Sequence, residues 1–249
     1  MIILPIPAFN DNYIWCIHDN VNAIVVDPGD HIIVDQFLKQ HNLNLSSILI
    51  THHHFDHTGG VLELKNKFSS HVYGPIGNIN GIDTSVSEGD IVVDNLIKIK
   101  FEVYEIPGHT LDHIAFKSQN NLFCGDTIFS SGCGRVFEGT HLQMYNSLKK
   151  LSSFSDDTKI YCAHEYTLNN IDFAKSIEPD NADLLQRETD VKKLRAENKP
   201  SVPTTLSIER KINPFLRCSE KDLIQKFQDY NLTKDIEIFT HIRKLKDNF

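Results

Sequence analysis

The chain has 249 residues, 40% of them hydrophobic and 23% charged, with a formal net charge of -8. That length can bury one large core or two small ones, and the acidic balance argues against a large basic footprint for nucleic acid. No run of about 18 apolar residues appears, and Met1 to Pro5 has no basic segment leading into a long apolar stretch, so neither membrane insertion nor export is expected.

Early strands are expected at Tyr13 to Ile17 and Ala23 to Val26, the second ending in the turn sequence Asp27-Pro28-Gly29-Asp30. A helix follows from Ile32 to Gln40. Ser47 to Ile50 reads as a buried strand running into Thr51-His52-His53-His54-Phe55-Asp56-His57, with a helix resuming near Thr58. Short strands at Ile99 to Ile106, Asn121 to Cys124 and Lys159 to Cys162 each precede a potential ligand, namely His109, Asp126 and His164. Near Tyr166 the pattern changes to polar, helix-periodic sequence, which predicts a boundary between residues 1–165 and 166–249. Beyond it, Leu184, Glu188, Val191 and Leu194 fall at helical spacing, as do Ile238, Phe239, Ile242 and Leu245. Ser219-Glu220-Lys221-Asp222 offers a capping-box-like helix start, and Pro200, Pro203 and Pro214 mark a more irregular connection. The five cysteines, at 16, 124, 133, 162 and 218, are scattered and form no CxxC pair, which predicts reduced thiols in a cytoplasmic protein.

His52-x-His54-x-Asp56-His57 places four potential metal ligands in six residues, between a strand and a helix. Neutral imidazole and carboxylate suit a borderline divalent ion such as zinc, and a catalytic site needs several of them while leaving a position for water. In an extended segment residues two apart point the same way, so His52 and His54 can grip one ion while His53 faces elsewhere. Asp56 and His57, where the chain turns towards the helix, are placed for a second. His109, Asp126 and His164 complete the count at seven. Taken singly, each of these three has an ordinary reading as a solvated or hydrogen-bonded residue.

These segments resemble the metallo-β-lactamase superfamily and, within it, the glyoxalase II (hydroxyacylglutathione hydrolase) family. The resemblance rests on the HxHxDH signature and on Pro7-Ala8-Phe9-Asn10-Asp11-Asn12-Tyr13-Ile14-Trp15, Cys124-Gly125-Asp126-Thr127-Ile128-Phe129, Gly132 to Thr140 and Ala163-His164-Glu165-Tyr166-Thr167. It continues through Asn213-Pro214-Phe215-Leu216-Arg217 and Arg243-Lys244-Leu245-Lys246-Asp247, so it covers essentially the whole chain. The resemblance implies an α/β fold, a four-layer αββα sandwich, with a smaller α-helical carboxyl-terminal domain that binds glutathione. It implies two divalent ions, zinc before iron or manganese, with His52, His54 and His109 on one, Asp56, His57 and His164 on the other, and Asp126 bridging. Asp27 matches a buried aspartate that orients the loop.

The implied reaction is attack by a hydroxide, bridging the two ions beside Asp56 and Asp126, on S-D-lactoylglutathione and related 2-hydroxyacyl thioesters, giving D-lactate and glutathione in methylglyoxal detoxification. A thiol leaving group, with a reference pKa of about 8.5, departs with less help from an acid than an amine does. Arg135, Phe137, Tyr166, Arg243 and Lys246 match glutathione-contacting positions. Phe137 departs from members with tyrosine there and has no hydroxyl to offer, a difference of about 0.5 to 1.5 kcal/mol if that hydrogen bond is direct. A monomer acting on a small-molecule thioester is expected, with neither nucleic acid nor membrane as partner. The alternatives are a lactonase, a β-lactamase, a transfer-RNA 3′-processing endonuclease, or a non-catalytic metal-binding protein. Cys124 and Cys133 are expected to pack the core rather than act as nucleophiles. His18, His31, His41, His53, His71, His141 and His241 are expected at the surface or in packing, and His113 either supports the metal ligands or bonds to backbone.

Overall fold

A computed structural model describes residues 1–249. In chain order its elements begin with β1 (Ile2–Ala8), β2 (Asn12–His18), β3 (Asn22–Val26), α1 (His31–Gln40), β4 (Asn44–Leu49), α2 (Phe55–Thr58), α3 (Val61–Phe68), β5 (His71–Pro75) and β6 (Thr84–Val86). Next come β7 (Ile91–Asp94), β8 (Ile99–Glu105), β9 (Ile114–Ser118), β10 (Asn121–Gly125), β11 (Ile128–Phe129), β12 (Gly132–Cys133), α4 (His141–Leu151) and β13 (Lys159–Cys162). The rest is α5 (Thr167–Ile177), α6 (Ala182–Ala196), β14 (Thr204–Thr205), α7 (Leu206–Ile212), α8 (Lys221–Lys226) and α9 (Asp235–Asp247). These elements form two compact units, one of Met1–Glu105, Asp112–Gly125 and Tyr161–His164, the other of Ile106–Leu111, Asp126–Ile160 and Glu165–Phe249. The chain therefore passes between units at more points than the single change of pattern near Tyr166.

The first unit is built on two sheets. One has the order β1-β2-β3-β4-β5-β6, antiparallel across β1, β2 and β3 and parallel from β3 onward. Strand β2 is buried along its whole length, as its run of β-branched and aromatic side chains requires of a strand covered on both faces. Helices α1 and α3 lay Val34, Leu38, Val61 and Leu64 against Ile14, Val25, Ile48 and Val72 of this sheet. Asp30 starts α1, its carboxylate accepting from the Ile32 amide at 2.8 Å. The other sheet runs β7-β8-β9-β10 in antiparallel order, with Tyr161 and Cys162 of β13 beside β10. The Ser46 and Ser47 hydroxyls both donate to Asp94 Oδ2 at 2.7 Å, tying β4 to β7 across the two sheets.

The second unit is mainly helical. Ile171, Ala174, Leu184, Val191 and Ile212 from α5, α6 and α7 form one cluster. Glu188, on the same helical spacing, instead accepts from Lys175 at 2.7 Å and Lys192 at 2.6 Å. Ile238, Phe239 and Ile242 of α9 are fully buried, while Leu245 stays 41% exposed. The helix start expected from Ser219 is corrected: Glu220 is the first cap of α8 and makes no side-chain cap bond. Its amide closes a turn onto the Arg217 carbonyl at 2.8 Å, which leaves Ser219 one position outside the helix.

Candidate metal centre and substrate side

In the first unit the carboxyl ends of β3 and β4 are locked together by Asp27. Its backbone sits in the left-handed region at φ 54°, and its amide donates to the Leu49 carbonyl at 2.9 Å. Its carboxylate accepts from the Thr51 amide and hydroxyl, both at 2.7 Å, and from His57 Nδ1 at 3.0 Å. This fixes the start of the His52 to His57 segment on a rigid strand end. His52 is fully buried, its Nε2 3.1 Å from His54 Nδ1, whereas His53 turns away to Asp112 at 3.0 Å.

Asp56, His57 and His164 place one donor atom each within 4.8 Å of one another. Asp56 Oδ2 lies 3.4 Å from His57 Nε2 and 3.5 Å from His164 Nε2, and also accepts from Asn12 Nδ2 at 2.9 Å. His164 reaches this point because its neighbours Cys162 and Ala163 are tied to β2: the Trp15 indole donates to the Cys162 carbonyl at 2.9 Å and the Tyr13 amide to the Ala163 carbonyl at 2.7 Å. His164 Nδ1 lies 2.8 Å from the Asp11 carboxylate.

In the second unit His109 Nε2 lies 3.5 Å from Asp126 Oδ2, and its Nδ1 lies 2.7 Å from the Arg135 carbonyl. Gly134 is required here, because a Cβ would overlap the Asp126 carbonyl, and its amide donates to Thr127 at 3.1 Å.

The partners of the imidazoles decide their chemistry. A carbonyl or carboxylate only accepts, so Nδ1 of His57, His109 and His164 must carry hydrogen, which leaves each Nε2 lone pair available. In each case that Nε2 lies 3.4 to 3.5 Å from a carboxylate oxygen. This is the arrangement by which a divalent ion is held: imidazole on one side, an anchoring acceptor on the other, carboxylates completing the set. The chemistry of these donors fits such ions.

These candidate donors stand out in the sequence, whereas Asp11 and Asn12 carry no assigned role there, although both stand in a segment that carries the resemblance. A lone Asp-Asn pair after a strand reads as a turn, and only the fold brings it to His164 and Asp56. His113 is buried, its Nδ1 3.1 Å from the Ile114 carbonyl and its ring stacked on His52 at 4.5 Å. All five cysteines are buried free thiols.

Of the residues matched to glutathione positions, all within the second unit, Arg135 is exposed and Phe137 is 60% exposed, its ring edge-on to His109 at 5.3 Å. Tyr166 is 37% exposed at the start of α5, its ring against Phe129. Lys246 is half-buried over the rings of Phe173 and Phe249, its Nζ 2.6 Å from Asn169 Oδ1. Arg243 differs: only 4% exposed, it stacks on Phe215 and donates to the Cys133 carbonyl at 2.9 Å.

The metallo-β-lactamase superfamily model matches residues 10–80, and the hydroxyacylglutathione hydrolase C-terminus model matches residues 165–249. The chain is 46% identical to a hydroxyacylglutathione hydrolase of Nitrosomonas europaea, covering 99% of this chain and 96% of the relative. It is 50% identical to one of Aliivibrio fischeri, with 98% of each covered. Among solved structures, ETHE1 from Myxococcus xanthus aligns with a TM-score of 0.67 at 23% identity over 99% of this chain and 98% of that one, a likeness of fold.

Proposed function

The chain belongs to the hydroxyacylglutathione hydrolase family and has the metallo-β-lactamase fold, and from that membership we propose that it hydrolyses S-D-lactoylglutathione and related 2-hydroxyacyl thioesters to the hydroxy acid and glutathione. It is a thioester hydrolase by family. The observation that carries the finer reading is the convergence of Nδ1-anchored imidazoles on Asp56 and Asp126.

His52, His54 and His109 would hold one divalent ion and Asp56, His57 and His164 a second, with Asp126 shared, and zinc, iron and manganese all suit these donors. The chemistry that divalent ions would supply there is a lowered pKa for a bound water and polarisation of the thioester carbonyl. The protein's own part is orientation: Asp27, Asp11 and the Arg135 carbonyl keep each Nδ1 protonated and each Nε2 directed at the ligand position. Asn12, donating to Asp56, fixes which carboxylate oxygen faces inward. The thiol leaves as thiolate, so no acid is needed at that position.

Glutathione brings two carboxylates to a chain of net charge -8. In this reading Arg135, Arg243 and Lys246 are the cations that would receive them, with Tyr166 and Phe137 as walls. In this reading residues 1–165 supply the metal donors together with Arg135 and Phe137 on the thiol side, and 166–249 form the helical glutathione-binding part with Tyr166 and Lys246. No helix is long and apolar enough to cross a membrane, and five buried free thiols suit a reducing compartment. We place the protein in the cytoplasm as a monomer on methylglyoxal detoxification.

The test is turnover by metal-loaded protein of S-D-lactoylglutathione beside a β-lactam, a lactone and precursor transfer RNA. Thioester hydrolysis is expected to dominate. Negligible thioester turnover with robust turnover of another substrate overturns the proposal.

A further inference from the structure

Two imidazoles stand beside the buried carboxylate of Asp27. Asp27, His52 and His57 each place one donor atom within 4.8 Å of the others, and the His52 and His57 rings lie 4.1 Å apart. His57 Nδ1 reaches Asp27 Oδ2 directly at 3.0 Å. His52 Nδ1 instead faces the Thr51 hydroxyl at 3.0 Å, and that hydroxyl lies 2.7 Å from the same Asp27 Oδ2. A hydroxyl has one hydrogen to give and a carboxylate only accepts, so the hydrogen goes to Asp27 and the Thr51 oxygen offers His52 a lone pair. His52 Nδ1 therefore carries a proton, and its Nε2, 3.1 Å from His54 Nδ1, keeps its lone pair.

This relay is closed off from water. Thr51 is fully buried, and Gly125 packs against it so closely that an added Cβ would lie 2.4 Å from Thr51 Oγ1. The backbone of Thr51 is held separately: its amide donates to Asp27 Oδ1 at 2.7 Å and its carbonyl accepts from the Ile114 amide at 2.9 Å. Anchoring the loop and orienting His52 are thus tasks of different atoms. In the metal-centre reading above, His52 and His57 belong to different ligand sets. Resting on that reading, we infer that the Thr51 hydroxyl is a positioning group for His52 alone. One carboxylate then sets the tautomer of an imidazole in each ligand set, directly for His57 and through Thr51 for His52.

Thr51→Val removes the hydroxyl while keeping the side chain's shape and both backbone bonds, and Thr51→Ser keeps the hydroxyl. Stepwise removal of zinc from the loaded, full-length chain by a chelator reads the two ions separately. Thr51→Val is expected to weaken one ion by on the order of ten- to a hundredfold and leave the other unchanged, with Thr51→Ser holding both as the wild type does. Equal weakening of both ions, or of neither, overturns the inference. So does a Thr51→Ser protein that behaves like Thr51→Val.

A second readout needs no metal. Above about pH 8, where ordinary imidazoles are neutral, the long-range proton–nitrogen spectrum of the metal-free chain is expected to show His52 protonated on Nδ1. In Thr51→Val that proton loses its acceptor and moves to Nε2, opposite His54 Nδ1, while His57 keeps its Nδ1 proton on Asp27. A His52 that stays Nδ1-protonated in Thr51→Val, with wild-type near-ultraviolet circular dichroism, contradicts the inference. A wild type that holds fewer than two ions or turns over no glutathione thioester counts against the proposed function, and the His52 spectrum still judges Thr51. Should Thr51→Val not fold, Thr51→Ala carries the same comparison.

Discussion

Lys246 shows how a single residue's surroundings set a measurable property. Burial, followed by the neighbouring Arg243 charge, pushes its ammonium down to about 8. The cation is therefore complete at lower pH and disappears as pH rises through that value. If Lys246 receives a glutathione carboxylate, the ratio of kcat/KM for the glutathione thioester to that for a carboxylate-free analogue should fall between about pH 7 and pH 9. Lys246→Arg, charged throughout, should flatten the curve. A wild-type ratio that stays constant over that range removes Lys246 from the anion site. At this scale the four candidate donors of the 52–57 segment are legible from their density alone. Asp11, Asn12 and the Arg135 carbonyl were not, since their partners are remote in sequence. Arg243 was legible as a cation on a helix face, but the acceptors that occupy it belong to residues 110 or so positions earlier.

Elements with strong periodicity were read well: β3, α1, β13 and the buried stripe of α9 lie within a residue or two of their expected places. Strand β1 was missed, because Pro5 and Pro7 interrupt its pattern. It is an edge strand, paired only with β2, where a missing amide does no harm. The two-residue strands β11 and β12 carry no period at all, yet they hold the stretch between Asp126 and Arg135. That hairpin is stabilised from a distance by Glu209, a fully buried carboxylate whose pKa burial pushes up. It accepts from Ser130 Oγ at 2.9 Å, the Ser131 amide at 2.7 Å, Thr204 Oγ1 at 2.8 Å and Asn213 Nδ2 at 3.2 Å. Ser131 itself is held at φ 59°. Removing the acceptor strands several buried donors, so Glu209→Ala is predicted to lower the unfolding free energy by about 3 kcal/mol. Chemical denaturation measures this, and a loss under about 0.5 kcal/mol would show that the hairpin stands without it.

At the scale of the molecule, the change of pattern near Tyr166 marked where the helical tail begins, and the C-terminus model matches from residue 165. Composition carries no record that 106–111 and 126–160 join that tail in one compact unit. His109, Asp126 and every residue matched to a glutathione position belong to the second unit, while His52, His54, Asp56, His57 and His164 belong to the first. Hydrogen bonds within that unit join its distant segments, as where Arg243 of the last helix donates to the Cys133 carbonyl.

The claim on which the rest depends is that seven residues hold two ions. Native mass spectrometry of the purified, metal-loaded protein counts them directly. Two divalent ions per chain are expected, falling below two when Asp126 is replaced by alanine; a wild-type stoichiometry far below two would contradict a seven-ligand centre.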